Sequence, residues 1–297
     1  MDWQDQLISV YLYVCKKYQQ KLCGYITRLS NNCDISFSDE EVMTLYLFGI
    51  MSGYSQVQDI HTYASRHLSQ WFPSLPGYHA FVQRINKISH LFEGLVEDLL
   101  TLSPIKQHED LPALMDSFPI ILAHRGRRFK ARVAQEIATP NGYCATKKLH
   151  YYGVKLHMIG QYKPGTLPFP MCMGITDAGT ADIKVLDRIE ENLPNHLRLF
   201  GDKAYQRNKQ AIANKKRFTL YTPVKKDKGQ EKLDVADCLL SKAISRVRQP
   251  IESLFNWIEE KTKLQIASKV RSFEGLMVHI FGKIAAALFL LNHKSCS

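Results

Sequence analysis

Through roughly the first hundred residues, apolar positions recur with the period of a helix, and the pattern changes near residue 111. "SDEE" at Ser38–Glu41 has the form of a capping box: the Ser38 hydroxyl can accept from the Glu41 backbone while the Glu41 side chain reaches back. It predicts a helix through "EEVMTLYLFGIM". A second helix is expected through "SQVQDIHTYASRHL", and "WFPSLPGYHAFVQRINKI" gives a Pro/Gly turn followed by a third. Short helices, tight turns and basic residues on the last helix suit a helix-turn-helix module. On that helix His79, Gln83 and Lys87 share one face, with Arg84 beside it. A DNA-reading face and the solvated face of a plain helical bundle carry the same pattern.

Beyond residue 111 the period shortens. "LPALMDSFPIIL" reads as a strand. "HYYGVKLHMIG" alternates, with Tyr152, Val154, Leu156 and Met158 on one side and Lys155 and His157 on the other. "FPMCMGITDA", "HLRLFGDKAY" and "FTLYTPV" give three more strands, and "TADIKVLDRIEENL" and "NKQAIANKK" give helices between them. A long helical region follows from about Ser241. Three hairpin-linked strands, then alternating helix and strand, then a helix, match an α/β ribonuclease-H-like domain with a five-stranded mixed sheet. The expected division is an all-α N-terminal DNA-binding domain over 1–110 and a catalytic domain with C-terminal helices over 111–297.

Composition sharpens the choice of partner. The chain has 297 residues, 45% of them apolar, and a formal net charge of +11, which favours a polyanion such as double-stranded DNA. The cations cluster on loops of the second domain. "AHRGRRFKAR" carries Arg125, Arg127, Arg128, Lys130 and Arg132; "NKKRFTLYTPVKKDKGQEK" carries Lys215, Lys216, Arg217, Lys225, Lys226, Lys228 and Lys232 against Asp227 and Glu231. Phosphate-backbone binding requires clusters of this kind. The seven cysteines are odd in number and none has CxxC spacing, so reduced thiols in a cytoplasmic protein are expected rather than a zinc site. The N-terminus lacks the basic start of a signal peptide, and the apolar "IAAALFLLN" is short for a membrane span, so no membrane partner is expected.

Three carboxylates stand in unusual places. Asp116 lies within the first strand of the α/β domain, where a charge is costly unless paired or bound to metal. Asp202 ends the fourth strand, a neighbour of the first in this fold. Glu252 borders the apolar stripe Val247, Ile251, Leu254 and Ile258, with Arg248 a turn before it and Asn256 a turn after. Pro250 fits the first helical turn or kinks a longer helix. Adjacent carboxylates repel, and Mg²⁺ would remove the repulsion. Two such ions held by Asp116, Asp202 and Glu252 could drive in-line phosphodiester displacement, with Mn²⁺ a substitute. Asp177 reads as a turn former and Asp182 as a helix-terminus acid. Lys155 and His157 either touch phosphate or face solvent, Lys203 either offsets charge at the site or is a surface lysine, and Trp257 either packs in the core or stacks on a base.

The motifs "MDSFPI", "YYGVKLH", "FGDKAY" and "RQPIESLFNWI", in this order and at these spacings, resemble the DDE transposases of bacterial insertion sequences over most of the chain. The resemblance implies a ribonuclease-H-like catalytic domain, two Mg²⁺ ions and binding to terminal inverted repeats. It also implies strand cleavage and joining without a covalent protein–DNA intermediate, and a homodimer holding two DNA ends. One branch of that family has Tyr seven residues before the Glu and Lys seven after; here those positions hold Ser245 and Glu259, while Arg248 matches. The other readings open to the residues are a ribonuclease-H-like nuclease without strand transfer and a non-catalytic DNA-binding protein of transposase descent.

Overall fold

The computed structural model describes residues 2–25, 35–102, 111–144, 147–189, 193–194, 196–206, 218–226 and 229–295. By packing, the chain forms two compact units: Met1–Leu102 with Ile258–Ser297, and Ser103–Trp257.

The helical unit begins with α1 (Trp3–Gln20), α2 (Asp39–Met51), α3 (Val57–His67), α4 (Tyr78–Lys87) and α5 (Ser89–Thr101). The capping box at the start of α2 is formed: the Ser38 hydroxyl accepts from the Glu41 N–H at 3.2 Å, and the Glu41 carboxylate accepts from the Ser38 N–H. Val42 through Ile50 are buried around the whole circumference of α2, so it is a central helix rather than a surface one.

The C-terminal helices, expected with the α/β domain, pack in this unit instead. The physical reason is their composition. Phe273–Asn292 is long and apolar enough to cross a membrane by length and composition, and 72% of that window is buried inside the protein. It runs as α8 (Phe273–Met277), a π-helical turn over Val278–Gly282, and α9 (Lys283–Ser295), and α9 packs on α2 and α5. A β-carbon at Gly282 would stand 2.4 Å from the Tyr46 ring, so the turn lies directly against α2. His279 and Lys283, a helical turn apart, donate to the carbonyls of Leu264 (2.8 Å) and Lys263 (2.9 Å), where Lys263 takes a left-handed φ of 52°. Burial lowers the Lys283 amine to about 7 and pushes His279 well down. Both are internal caps on the chain leaving the long helix Val235–Thr262.

The second unit holds a mixed sheet: β1 (Ala113–His124), β2 (Thr139–Cys144), β3 (Leu149–Gln161), β4 (Phe169–Asp177), β5 (Leu197–Phe200) and β6 (Phe218–Tyr221). Its helices are α6 (Asp182–Ile189) and α7 (Val235–Thr262). β1 is central. It pairs antiparallel with β3, from Ala113 opposite Gln161 to His124 opposite Tyr151, and parallel with β5 on its other edge. β6 follows β5 in parallel, while β2 and β4 divide the far edge of β3. β2 was not among the five expected strands. "TPNGYC" carries Pro, Asn and Gly, which signal a loop, yet Gly142 is what lets the strand lie on Tyr151, whose ring would be 2.5 Å from a β-carbon there. Pro119 is tolerated in β1 because β5 pairs only as far as Leu114, leaving that stretch without a neighbour on one side.

Successive β1 side chains alternate between faces. Ala113 and Met115 join a core with Ile159, Leu186, Leu197, Leu199, Tyr205 and Phe218. Phe118 lies on the opposite face, stacked on Phe255 of α7 at 5.2 Å. Pro250 lies inside the 28-residue α7 and not in its first turn. The helix expected at "NKQAIANKK" lies outside the described residues, as do Lys215, Lys216, Arg217 and Lys228.

Candidate active site

Three elements bring the carboxylates together. Leu114 on β1 is in register with Phe200 on β5. Asp116 and Asp202 each lie two residues further along, and the strands run parallel, so the two acids emerge side by side at one end of the pair. α7 crosses the same face. Its Arg248 donates to the Asp116 carboxylate at 2.7 Å and, through the other terminal nitrogen, to Glu252 one turn on.

Asp116 is less exposed than Glu252. One oxygen accepts from the Ser117 N–H at 2.8 Å, and the other takes the Arg248 contact. Desolvation pushes its carboxyl up to about 6; Arg248 and the Ser117 N–H pull down, and Asp202 and Glu252 push further up. The two other acids are therefore within electrostatic reach of it. Arg248 senses the same trio: burial works against its charge, but Asp116, Glu252 and Asp202 together more than offset this and raise its pKa. Asp202 stands at the start of a short helical turn over Lys203–Tyr205, and its side chain makes no capping bond there. The Glu252 side chain is half exposed, at the border of the buried stripe Ile251, Leu254 and Ile258.

Three carboxylates are an all-oxygen donor set of the kind a hard divalent cation takes, and the charges of Asp202 and Glu252 help push the Asp116 carboxyl up. Among the described residues no three of His, Cys, Asp and Glu stand close enough to share an ion, so the acids are not preassembled as a metal site; the guanidinium of Arg248 lies between Asp116 and Glu252.

The other candidates divide. Lys203 is exposed beside Asp202, and Arg125, Arg127 and Lys130 are exposed with Arg128 half-buried on the turn after β1. Gln83 and Lys87, with His79, are exposed along one face of α4. Arg84 is spent internally: it pairs with Asp39 at 2.9 Å and donates to the Phe37 carbonyl, anchoring α4 to α2 rather than facing outward. Lys155 donates to the Thr180 carbonyl (2.9 Å) and to Asp182 (3.1 Å), which opens α6. His157 is buried, with a 2.8 Å bond to Thr176, and burial lowers its pKa to about 4. The expectation that these two residues face DNA or solvent is corrected here. Packing of α6 against that face of β3 encloses them, and an imidazole buried to this extent is out of reach of a phosphate. Asp177 forms its turn, accepting from Gly179 N–H at 2.8 Å and Thr139 at 3.1 Å. Trp257 is half-buried on α7.

A mixed sheet whose central strand carries one acid, with a second just past the end of its parallel neighbour and a third on the helix that crosses them, is consistent with a transposase domain of the ribonuclease-H type. The family described as Transposase DDE domain matches residues 109–290, more than half of the chain, and the chain belongs to that family. It is thus a transposase, an enzyme whose substrate is DNA. Neither a curated protein nor a solved structure matches the chain.

Proposed function

We propose that the chain binds the terminal inverted repeats of its own element and, with two Mg²⁺ ions held by Asp116, Asp202 and Glu252, cleaves DNA strands and joins them to a target. The observation that carries this reading is Arg248 bonded to both Asp116 and Glu252, with Asp202 acting on the same guanidinium. Acids from three distant parts of the chain converge on one positive charge. When bound, divalent cations supply activation of a water or 3′-hydroxyl and stabilise the leaving oxygen of an in-line displacement. The chain's own part is to hold and orient. Asp116 is fixed by the Ser117 N–H, and Glu252 is carried by a helix docked on the sheet. Arg248 keeps the acids neutralised until a stronger cation competes for them, and is then free to meet a phosphate. Two DNA ends must be held at once, so a homodimer is the working assembly, acting in the bacterial cytoplasm at the nucleoid.

The test is labelled element ends, Mg²⁺ and a target plasmid. Joined products support the proposal. Nicks without joining favour a nuclease, and binding that persists in EDTA with no cutting when Mg²⁺ is supplied favours a binding protein.

Removing the resident guanidinium should ease cation entry. Arg248→Gln is expected to tighten Mn²⁺ binding about tenfold in the DNA-free protein, roughly 1.4 kcal/mol, because the ion no longer displaces an ion pair. Titration calorimetry with Mn²⁺ reads this directly, and unchanged or weaker affinity contradicts the competition.

The exposed basic turn should act through counterion release. Arg127→Ala with Lys130→Ala is expected to flatten the slope of log K against log salt by about 2, roughly one unit per lost phosphate contact. Fluorescence anisotropy between low and moderate salt measures it, and an unaltered slope takes the turn off the DNA path.

A further inference from the structure

The turn after β1 contains an apolar residue that phosphate binding does not explain. Phe129 is 69% exposed. A single exposed phenylalanine means little by itself, but its surroundings make this one specific. The Arg128 guanidinium lies 4.3 Å from the ring centroid, backing the phenyl with a cation. Arg125, four residues earlier, holds a left-handed φ of 56°, a conformation a non-glycine residue adopts only when neighbouring structure fixes it. Beside the ring opens a cleft of about 570 Å³, lined by Arg125, Arg128 and Phe129 on one side and by Lys147, Lys148 and His150 on the other. Among the described residues no carboxylate lines it. A flat apolar face in a cleft whose charged lining residues are Arg125, Arg128, Lys147 and Lys148 matches a ligand that is flat and carries negative charge, which is a nucleotide unit with its base out of the duplex stack.

Its position on the fold sets where on the DNA this would happen. From Asp116 to His124, β1 extends eight residues, about 26 Å at 3.3 Å each. For a duplex lying along β1, at about 3.4 Å per base pair this spans roughly eight pairs.

We propose that Phe129, backed by Arg128, stacks on a nucleobase displaced from the duplex roughly eight base pairs from the phosphodiester cut at Asp116. This rests on the reading of the basic turn as DNA-binding and of Asp116 as the cleavage centre. A base already unpaired is cheaper to displace, so a mismatch at the right position should bind tighter.

The experiment scans a single mismatch along a duplex taken from the end of the element, measuring affinity of the full-length protein without divalent cation. The expected result is tightening by about tenfold at one or two positions near the eighth pair. Phe129→Ala should lose that preference while keeping the wild-type salt slope and melting temperature. Affinity indifferent to mismatch position, with salt-dependent binding intact, overturns the proposal and leaves the DNA-binding reading standing. A preference that survives in Phe129→Ala overturns it too. Absence of salt-dependent binding in the wild type removes both.

Discussion

Asp116→Asn should abolish DNA cleavage, lowering the rate by at least about a thousandfold, about 4 kcal/mol of barrier. The substitution keeps the shape of the side chain and a carbonyl oxygen for the Ser117 N–H, 2.8 Å away in the native protein. It removes the negative charge that Arg248 now holds and that a divalent cation would need. Because desolvation opposes the ionisation of Asp116, and Arg248 keeps Glu252 as a partner, the neutral amide should not cost the fold much. Loss of cleavage should therefore come without loss of melting temperature or of binding to element ends. Asp202→Asn and Glu252→Gln should give the same separation of cutting from binding. A gel assay of labelled ends with Mg²⁺ measures the rates, and cleavage within tenfold of wild type in any one variant removes that residue from the centre.

Gly153→Ala should disable the fold itself. Gly153 sits in β3 opposite Ile121 of β1, beside the bulge at Ile121 and Ala123. An added β-carbon would lie 2.0 Å from the Ile120 carbonyl oxygen, 3.1 Å from its carbon and 3.3 Å from the Leu122 nitrogen. These are backbone atoms and cannot rotate aside, so the β1–β3 ladder must part. Since β1 also carries Asp116 and pairs with β5, the distortion reaches the site. A loss of at least about 3 kcal/mol is expected, at the upper end of overpacking costs. At roughly 2–4 °C per kcal/mol for a unit of this size, the melting temperature should fall by about 6–12 °C or the protein should become insoluble. Gly174→Ala in β4 is the control, because nothing lies within 4 Å of a β-carbon there, and it should be nearly neutral. Equal melting temperatures for the two variants would mean that β3 and β1 are not as closely apposed as described.

Much of the architecture was legible because local chemistry agreed with the global arrangement. The Ser38–Glu41 capping box is a four-residue signal and formed as written. Alternation in "HYYGVKLHMIG" marked β3 correctly, although both of its faces are largely buried. The same alternation misled about Lys155 and His157. A polar residue on the second face reads as outward, and only the later packing of α6 turned that face inward. β2 was hidden by its own Pro, Asn and Gly. Arg84 looked like part of a basic face because Asp39, its partner, lies 45 residues away in the chain.

The sequence by itself determined the change from helices to strands near residue 111, the order of β1, β3, β4, β5 and β6, the basic character of the turn after β1, and which three acids are expensive enough to need a reason. Composition, period and capping are local properties and survive being read one residue at a time. Tertiary structure alone decided that the C-terminal helices complete the N-terminal core, that Arg248 and not a neighbouring lysine sits between Asp116 and Glu252, and that Phe129 faces outward over a cationic cleft. Each of these is a contact or an exposure set by residues far apart in the chain, and its energy exists only once the strands and helices have closed.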